Sequence, residues 1–179
     1  MNSLTGRLDT VPALERPDLL APSVATALAA VPDALVAEID PDLADTAALC
    51  AAYDLPMATS ANCVVVSGRR AGEEQHAGCV VLATTRADVN GLVRRRLGAR
   101  KASFASTDFA TTATGMEYGG ITPIGLPADW LLLVDTAVAE TPVVIVGSGV
   151  RRSKLVLPGA SLTALPGVEV VDDLGLPPR

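Results

Sequence analysis

Between Gly115 and Pro127 the sequence reads GMEYGGITPIGLP, a spacing of glycine and proline that neither a helix nor a strand accommodates. Gly119 and Gly120 permit φ > 0 and leave the main chain bare, while Pro123 and Pro127 stiffen the exit. Backbone N–H groups on such a loop can hold a carbonyl or phosphate oxygen, the physics of oxyanion holes and anion nests. The same residues also fit a structural double turn between two elements. A second bare stretch, Gly147-Ser148-Gly149, ends an apolar run. It is no nucleotide fingerprint, because Arg152 stands where the third glycine of GxGxxG would be, and no Gly-Lys-Ser or Gly-Lys-Thr completes a phosphate loop.

Other reactive side chains are sparse. The lone His76 falls in a polar connection and reads as a solvated turn residue; with no second histidine, neither a usual zinc set nor a Ser-His-Asp triad can be assembled. No metal or cofactor is expected. Cys50, Cys63 and Cys79 are odd in number, lack CxxC spacing and sit among apolar neighbours, which predicts free buried thiols in a reducing cytoplasm. A nucleophilic Cys63 would need a base beside it, and no histidine is placed there.

These residues need a scaffold, and 179 residues suffice for one domain with an added N-terminal segment. The chain is 49% hydrophobic but only 3% aromatic, so its core must come from Val, Leu, Ala and Ile. A net charge of −6 argues against non-specific binding of duplex DNA. The charge is uneven: residues 1–59 carry nine acids against Arg7 and Arg16, whereas residues 60–154 carry eleven of the fourteen basic residues against eight acids. A local positive face can therefore exist on an acidic protein. No run of 18 apolar residues and no signal peptide is read, so no membrane partner is expected.

Periodicity then places the elements. Residues 1–33 form a lead-in segment chopped by prolines, with a helix over Ser23–Val31 capped by Ser23. A strand over Ala34–Ile39 precedes a helix ending at Tyr53. The β-branched runs Ser60–Ser67 and Gly78–Thr84 make a hairpin with a long, wet connection. From Asp88 to Leu97, Val89, Leu92, Val93 and Leu97 share a helical face, with Asp88 as cap and Gly98 as terminator. Arg94, Arg95 and Arg96 project from the other side, either as a solvated face or, with Arg100 and Lys101, as a phosphate-contacting patch. A short strand and brief helix span Ser103–Ala113; further strands run over Trp130–Asp135, Pro142–Val146, Lys154–Leu157 and Val168–Val171, with a short helix around Ala160–Leu165. Residues 174–179 read as a loose tail. Strands paired as hairpins with inserted helices predict an α+β fold, a mixed and mostly antiparallel sheet with helices packed on it.

Taken in order, ANCVVVSGRRAGEEQHAGCVVLATT, DVNGLVRRRLGARK, TGMEYGGITPIGLP, VDTA and VGSGVRRSKLVL resemble the YbaK-like aminoacyl-tRNA editing domains, which include free-standing deacylases and the editing insertion of bacterial prolyl-tRNA synthetases. The similarity covers residues 34–173. It implies a barrel-like mixed sheet with helices around it, and a pocket for the aminoacylated 3′-terminal adenosine of a tRNA. The implied reaction is hydrolysis of the ester to a small wrong amino acid such as alanine, serine or cysteine, with the tRNA 3′ end and an aminoacyl-tRNA synthetase as partners. By position, Gly119 and Gly120 would lie against the substrate carbonyl or ribose, and Thr122 and Pro123 would shape the loop beside Tyr118, a substrate contact. Asp135 would order a water or bind the amino group, unless it is a strand-end carboxylate satisfying turn amides. Gly147, Ser148 and Gly149 would approach the ribose or aminoacyl moiety. Arg94, Arg95, Arg151 and Arg152 would meet tRNA phosphates. Family members generally carry a lysine on the first hairpin strand; here the segment is Ala61-Asn62-Cys63-Val64, so Asn62 takes that place without a cation: either Arg86, Arg151 or Arg152 supplies the charge from another direction, or the chain is a catalytically weak or inactive module that binds an aminoacyl-adenosine end, an amino acid or a partner synthetase.

Overall fold

The run of residues 61–66, which ends in three valines, pairs with residues 77–82 because one strand face meets each of two apolar cores, and this hairpin is the spine of the fold. The computed structural model describes residues 4–179. In chain order it contains β1 (Thr10–Pro12), α1 (Pro22–Ala27), β2 (Leu35–Glu38), α2 (Thr46–Tyr53), β3 (Ala61–Arg70), β4 (Glu73–Leu82) and β5 (Arg86–Ala87). There follow α3 (Arg94–Arg96), β6 (Ala102–Phe104), α4 (Thr107–Thr114), β7 (Leu131–Asp135), α5 (Thr136–Ala139), β8 (Val144–Gly147), β9 (Ser153–Leu157), β10 (Val168–Val171) and β11 (Gly175–Leu176).

The strands form an antiparallel sheet in the order β1-β2-β9-β8, a mixed sheet in the order β10-β7-β4-β3-β6, and the small pair β11-β5. Only β10–β7 and β4–β7 pair in parallel, so the α+β, mostly antiparallel expectation holds. A bridge from Ser60 to Ile145 brings the two large sheets together at the start of β3. The described strands do not close into a barrel.

Alternation distributes the side chains. On β9, Leu155 and Leu157 enter the largest core while Val156 faces the core under α2. On β4, Val80 enters the largest core and Cys79 and Val81 the one beneath residues 89–97. Within the lead-in segment, residues 10–31 are part of the fold: Ala13, Leu19, Val24, Leu28 and Val31 are buried in the largest core, and β1 pairs with β2, while residues 1–3 lie outside the described residues.

Several local expectations change. The hairpin connection is short: β3 and β4 pair through Arg70↔Glu73, and Ala71 (φ 51°) and Gly72 (φ 85°) alone make the turn. His76 is therefore a strand residue, with Nδ1 2.9 Å from Ser67 Oγ and its ring stacked on Phe109 at 4.5 Å. The first helix starts at Pro22 without a side-chain cap, and Ser23 lies inside it. Asp88 caps as expected, accepting from the N–H groups of Gly91 and Leu92 at 3.0 and 2.7 Å, but the helix opens with a wide turn, Val93 N–H donating to Asp88 O. Ser106 caps α4. The tail is tied down, since Leu174 is fully buried and β11 pairs with β5.

Candidate active site

Where β3 leaves the bridge at Ser60, a cavity of about 320 Å³ opens between four strands and helices and the glycine loop. Ala61, Asn62, Cys63 and Val64 of β3 form one side, and Asp45, Thr46 and Leu49 at the start of α2 another. Tyr118, Gly119 and Ile121 of the glycine loop cover it, and Ile145, Val146, Gly147 and Lys154 close it from β8 and β9.

Lys154 is the chemical centre of this space. On β9 it shares a face with Val156, and its cross-strand neighbour Gly147 has no side chain. The lysine is only 7% exposed, and its Nζ donates to Gly119 O at 3.2 Å. Burial lowers its pKa to about 8, and the positive charge of Arg151 acts in the same direction against Asp45. An ammonium carries three donors, so this contact leaves capacity for a ligand. Asn62 stands nearby with its Oδ1 accepting from Thr46 Oγ1 at 3.0 Å, which leaves the amide nitrogen to donate. Tyr118, 62% exposed, stands at the mouth.

The covering loop is held from outside. Arg151 donates its backbone N–H to Glu117 Oε2 at 2.7 Å, its Nε to Pro41 O at 3.1 Å and its Nη1 to Tyr118 O at 3.1 Å. The same Nη1 lies 3.8 Å from Asp45 Oδ1. Arg151 thus fastens the loop to the segment before α2, and its guanidinium is engaged in positioning.

The two glycine pairs divide their roles differently from the sequence reading. Gly119, at φ 81°, lines the cavity, and none of the backbone hydrogen bonds among the described residues uses its N–H. Gly120 does not face the ligand space: its N–H donates to Glu117 O, its carbonyl accepts from Gly149 N–H, and a Cβ there would sit 2.8 Å from Val150 N. The absent side chain makes room for the second loop. Gly147 lines the cavity, but a Cβ on it would meet Gly120 O at 2.3 Å. Gly149 packs against Ala21, and the buried Ser148 Oγ lies 3.1 Å from Val150 O and 3.0 Å from Ser153 O, its one proton available to either.

Other sequence candidates lie elsewhere. Thr122 is fully buried and, like Pro123, lies outside the cavity lining. Asp135 ends β7 away from the cavity and accepts from Gly175 N–H at 2.8 Å, the strand-end role left open above. Arg152 donates to Asp18 O, Arg94 to Asn90 O at 2.8 Å, and Arg95 is exposed on α3; none lines the cavity, nor does Arg86 on β5. His76 is likewise not part of it. Burial, with Cys79 nearby, pushes the Cys63 thiol far above its ordinary range, so it remains protonated, and the Cys79 thiol is pushed up to about 12. Lys154, Asp45 and Thr46 were not singled out from sequence. The signal for Lys154 was one cation inside the apolar strand SKLVL, on the face that alternation shares with Val156.

What remains is a sheltered ammonium, an amide donor, a hydroxyl and a bare loop backbone around a space whose one thiol, Cys63, is held protonated. Such a set holds a polar carbonyl group and favours negative charge developing on it.

No match was found among curated proteins. Of solved structures, the chain resembles hypothetical protein APE2540 with a TM-score of 0.75 and 18% identity, covering 86% of this chain and 99% of that one. A scaffold protein used for epitope backbone grafting by computational design gives 0.70 and 21%, covering 86% and 97%. A proposed trans-editing enzyme for prolyl tRNA synthetase gives 0.69 and 20%, again covering 86% and 97%. At these identities the likeness establishes the fold. The family model for the aminoacyl-tRNA editing domain matches residues 40–165, well over half of the chain and the whole wall of the cavity, and the chain belongs to that family.

Proposed function

We propose that this chain is an aminoacyl-tRNA editing hydrolase of the cytoplasm that removes a small wrong amino acid, alanine, serine or cysteine, from the 3′-terminal adenosine of a tRNA. The buried Lys154 ammonium beside the bare backbone of Gly119 carries the reading. A water adds to the ester carbonyl, whose oxygen takes the negative charge; Lys154 and the Asn62 amide stabilise that oxyanion. Collapse breaks the bond to the ribose oxygen, which takes up the proton that the attacking water gives up, and frees the amino acid. No side chain forms a covalent intermediate, in keeping with the protonated state of Cys63.

Lys154 supplies from β9 the cation that the resemblance places on the first hairpin strand, where this chain has Asn62. That favours the hydrolase over a non-catalytic module that only binds an aminoacyl-adenosine end. The similarity to a proposed trans-editing enzyme supports action in trans, beside a synthetase. The test is deacylation of a panel of mischarged tRNAs by wild type and Lys154→Met. Catalysis on at least one member, lost in the variant, is expected; no rate above spontaneous hydrolysis on any member would overturn the proposal.

A further inference from the structure

Beyond the cavity, the other end of β3 carries a second feature. Arg69 and Arg70 at the hairpin tip, together with Arg100 and Lys101 before β6, border an open groove of about 880 Å³. Glu74 is the single acid in its lining, giving four cations against one carboxylate on a chain of net charge −6. Arg69 is 3.5 Å from Glu74, whereas Arg70, Arg100 and Lys101 have no ion pair among the described residues, although Glu73 lies opposite Arg70 in the ladder. These cations stand on fixed backbone. A two-residue turn closes the hairpin, β6 pairs with β3 through Gly68↔Ala102, and the stem of Arg70 packs over Gly98, where a Cβ would lie 3.2 Å from its Cδ.

Cavity and groove lie along one strand. β4 occupies one edge of β3; the other is met by β8 near Ser60 and by β6 at residues 66–68. Asn62 and Arg70 share a face of β3 and are eight positions apart, about 26 Å at the rise of a strand. A ligand spanning both must be long, anionic along its length and end in a group that enters the cavity.

We infer that the groove binds the sugar–phosphate backbone of the nucleic acid whose 3′ end occupies the cavity, so that the protein holds its substrate at two points along β3. This rests on the hydrolase reading above. Arginine forks suit phosphate oxygens, and the floor of Gly68, Gly72, Gly98, Ser67 and Ser103 offers close approach without the apolar anchors that a peptide would use. Of the cations expected from sequence to meet phosphate, Arg100 and Lys101 border this groove, whereas Arg94, Arg95, Arg151 and Arg152 do not line it.

The test compares wild type with Arg70→Ala/Lys101→Ala, both exposed positions, on three nucleic-acid substrates or probes and two anionic controls. Binding of uncharged tRNA is followed by fluorescence anisotropy from 50 to 200 mM salt. Each cation removed should lower the slope of log Kobs against log salt by about 0.7–0.9, so the double variant should lose about 1.4–1.8. For a mischarged full-length tRNA, KM should rise about tenfold with kcat unchanged, while hydrolysis of a short aminoacylated 3′-terminal oligonucleotide should not change. An unchanged slope and KM in a variant that unfolds at the wild-type temperature overturns the groove assignment, as does loss of poly-glutamate or phosphatidylserine-vesicle binding with tRNA binding intact. If wild type hydrolyses neither substrate, the hydrolase reading fails; the salt slope still judges the groove.

Discussion

Replacing Lys154 separates the site's chemistry from the fold's stability, because a buried ammonium should have opposite effects on the two. A unit charge about 4 Å from a developing oxyanion at an effective dielectric of 20 is worth about 4 kcal/mol, and loss of one preorganised donor in such sites typically lowers kcat by about 10²–10³. Lys154→Met should therefore reduce kcat/KM on a mischarged tRNA at least a hundredfold at pH 7. The pH profile sharpens the test. With its pKa lowered to about 8, Lys154 is charged below that value and loses its proton above it. Wild-type kcat/KM, corrected for spontaneous ester hydrolysis, should fall about tenfold per unit above pH 8. Lys154→Arg, whose guanidinium stays charged, should remove that fall.

Stability moves the other way. Between about pH 8 and 10.5 the unfolded chain holds this proton and the folded chain does not, so wild-type stability relative to Lys154→Met should rise with pH across that window. Below pH 8 the buried charge costs about 3 kcal/mol, a net figure that already contains its hydrogen bond to Gly119 O. Denaturant melts of both proteins at pH 7 and pH 10 give this difference directly. A methionine variant that keeps its activity, or a stability difference independent of pH, refutes the assignment of Lys154 as a buried, functional cation.

Gly120→Ala should lower stability by about 1–3 kcal/mol by forcing a methyl against the Val150 backbone, seen as a lower Tm; lost turnover at an unchanged Tm would show instead that the residue faces substrate. Asn62→Lys puts a second ammonium into the same cavity and should not raise turnover, whereas Asn62→Lys in the Lys154→Met background should recover at least tenfold of the loss. Equal rates in the two methionine backgrounds would remove Asn62 from the site. Cys63→Ala should retain activity within about twofold, since its thiol stays protonated; a loss beyond about a hundredfold without unfolding would restore thiol chemistry as an option.

Where a local pattern decided the structure, the sequence could be read. Val64, Val65 and Val66 announced β3, Asp88 with the apolar face of Val89, Leu92, Val93 and Leu97 announced a capped helix, and Gly119 announced a loop with φ > 0. Where a partner distant in the chain decided it, the residues could not be read alone. His76 belongs to a strand because Ser67, nine residues earlier, lies opposite it, and the tail is fixed because Gly175 meets Asp135 and Ala87. Lys154 enters the cavity only because α2, a hundred residues earlier, leaves its N-terminal turn open over that face. The bareness of Gly120 was legible, but not that a second loop would fill the space.

That nesting has a genetic consequence. At Gly120 and Gly147 the obstructing atoms belong to the opposing main chain, Val150 N and Gly120 O, rather than to a side chain. A large residue pressed against a side chain can be relieved by trimming the neighbour, but a peptide unit cannot be made smaller. Selection for revertants of Gly120→Ala should therefore return glycine at position 120 or general stabilisers scattered through the cores. It should yield no compensating change in residues 147–150, so the two loops can drift in sequence only around a fixed pair of glycines.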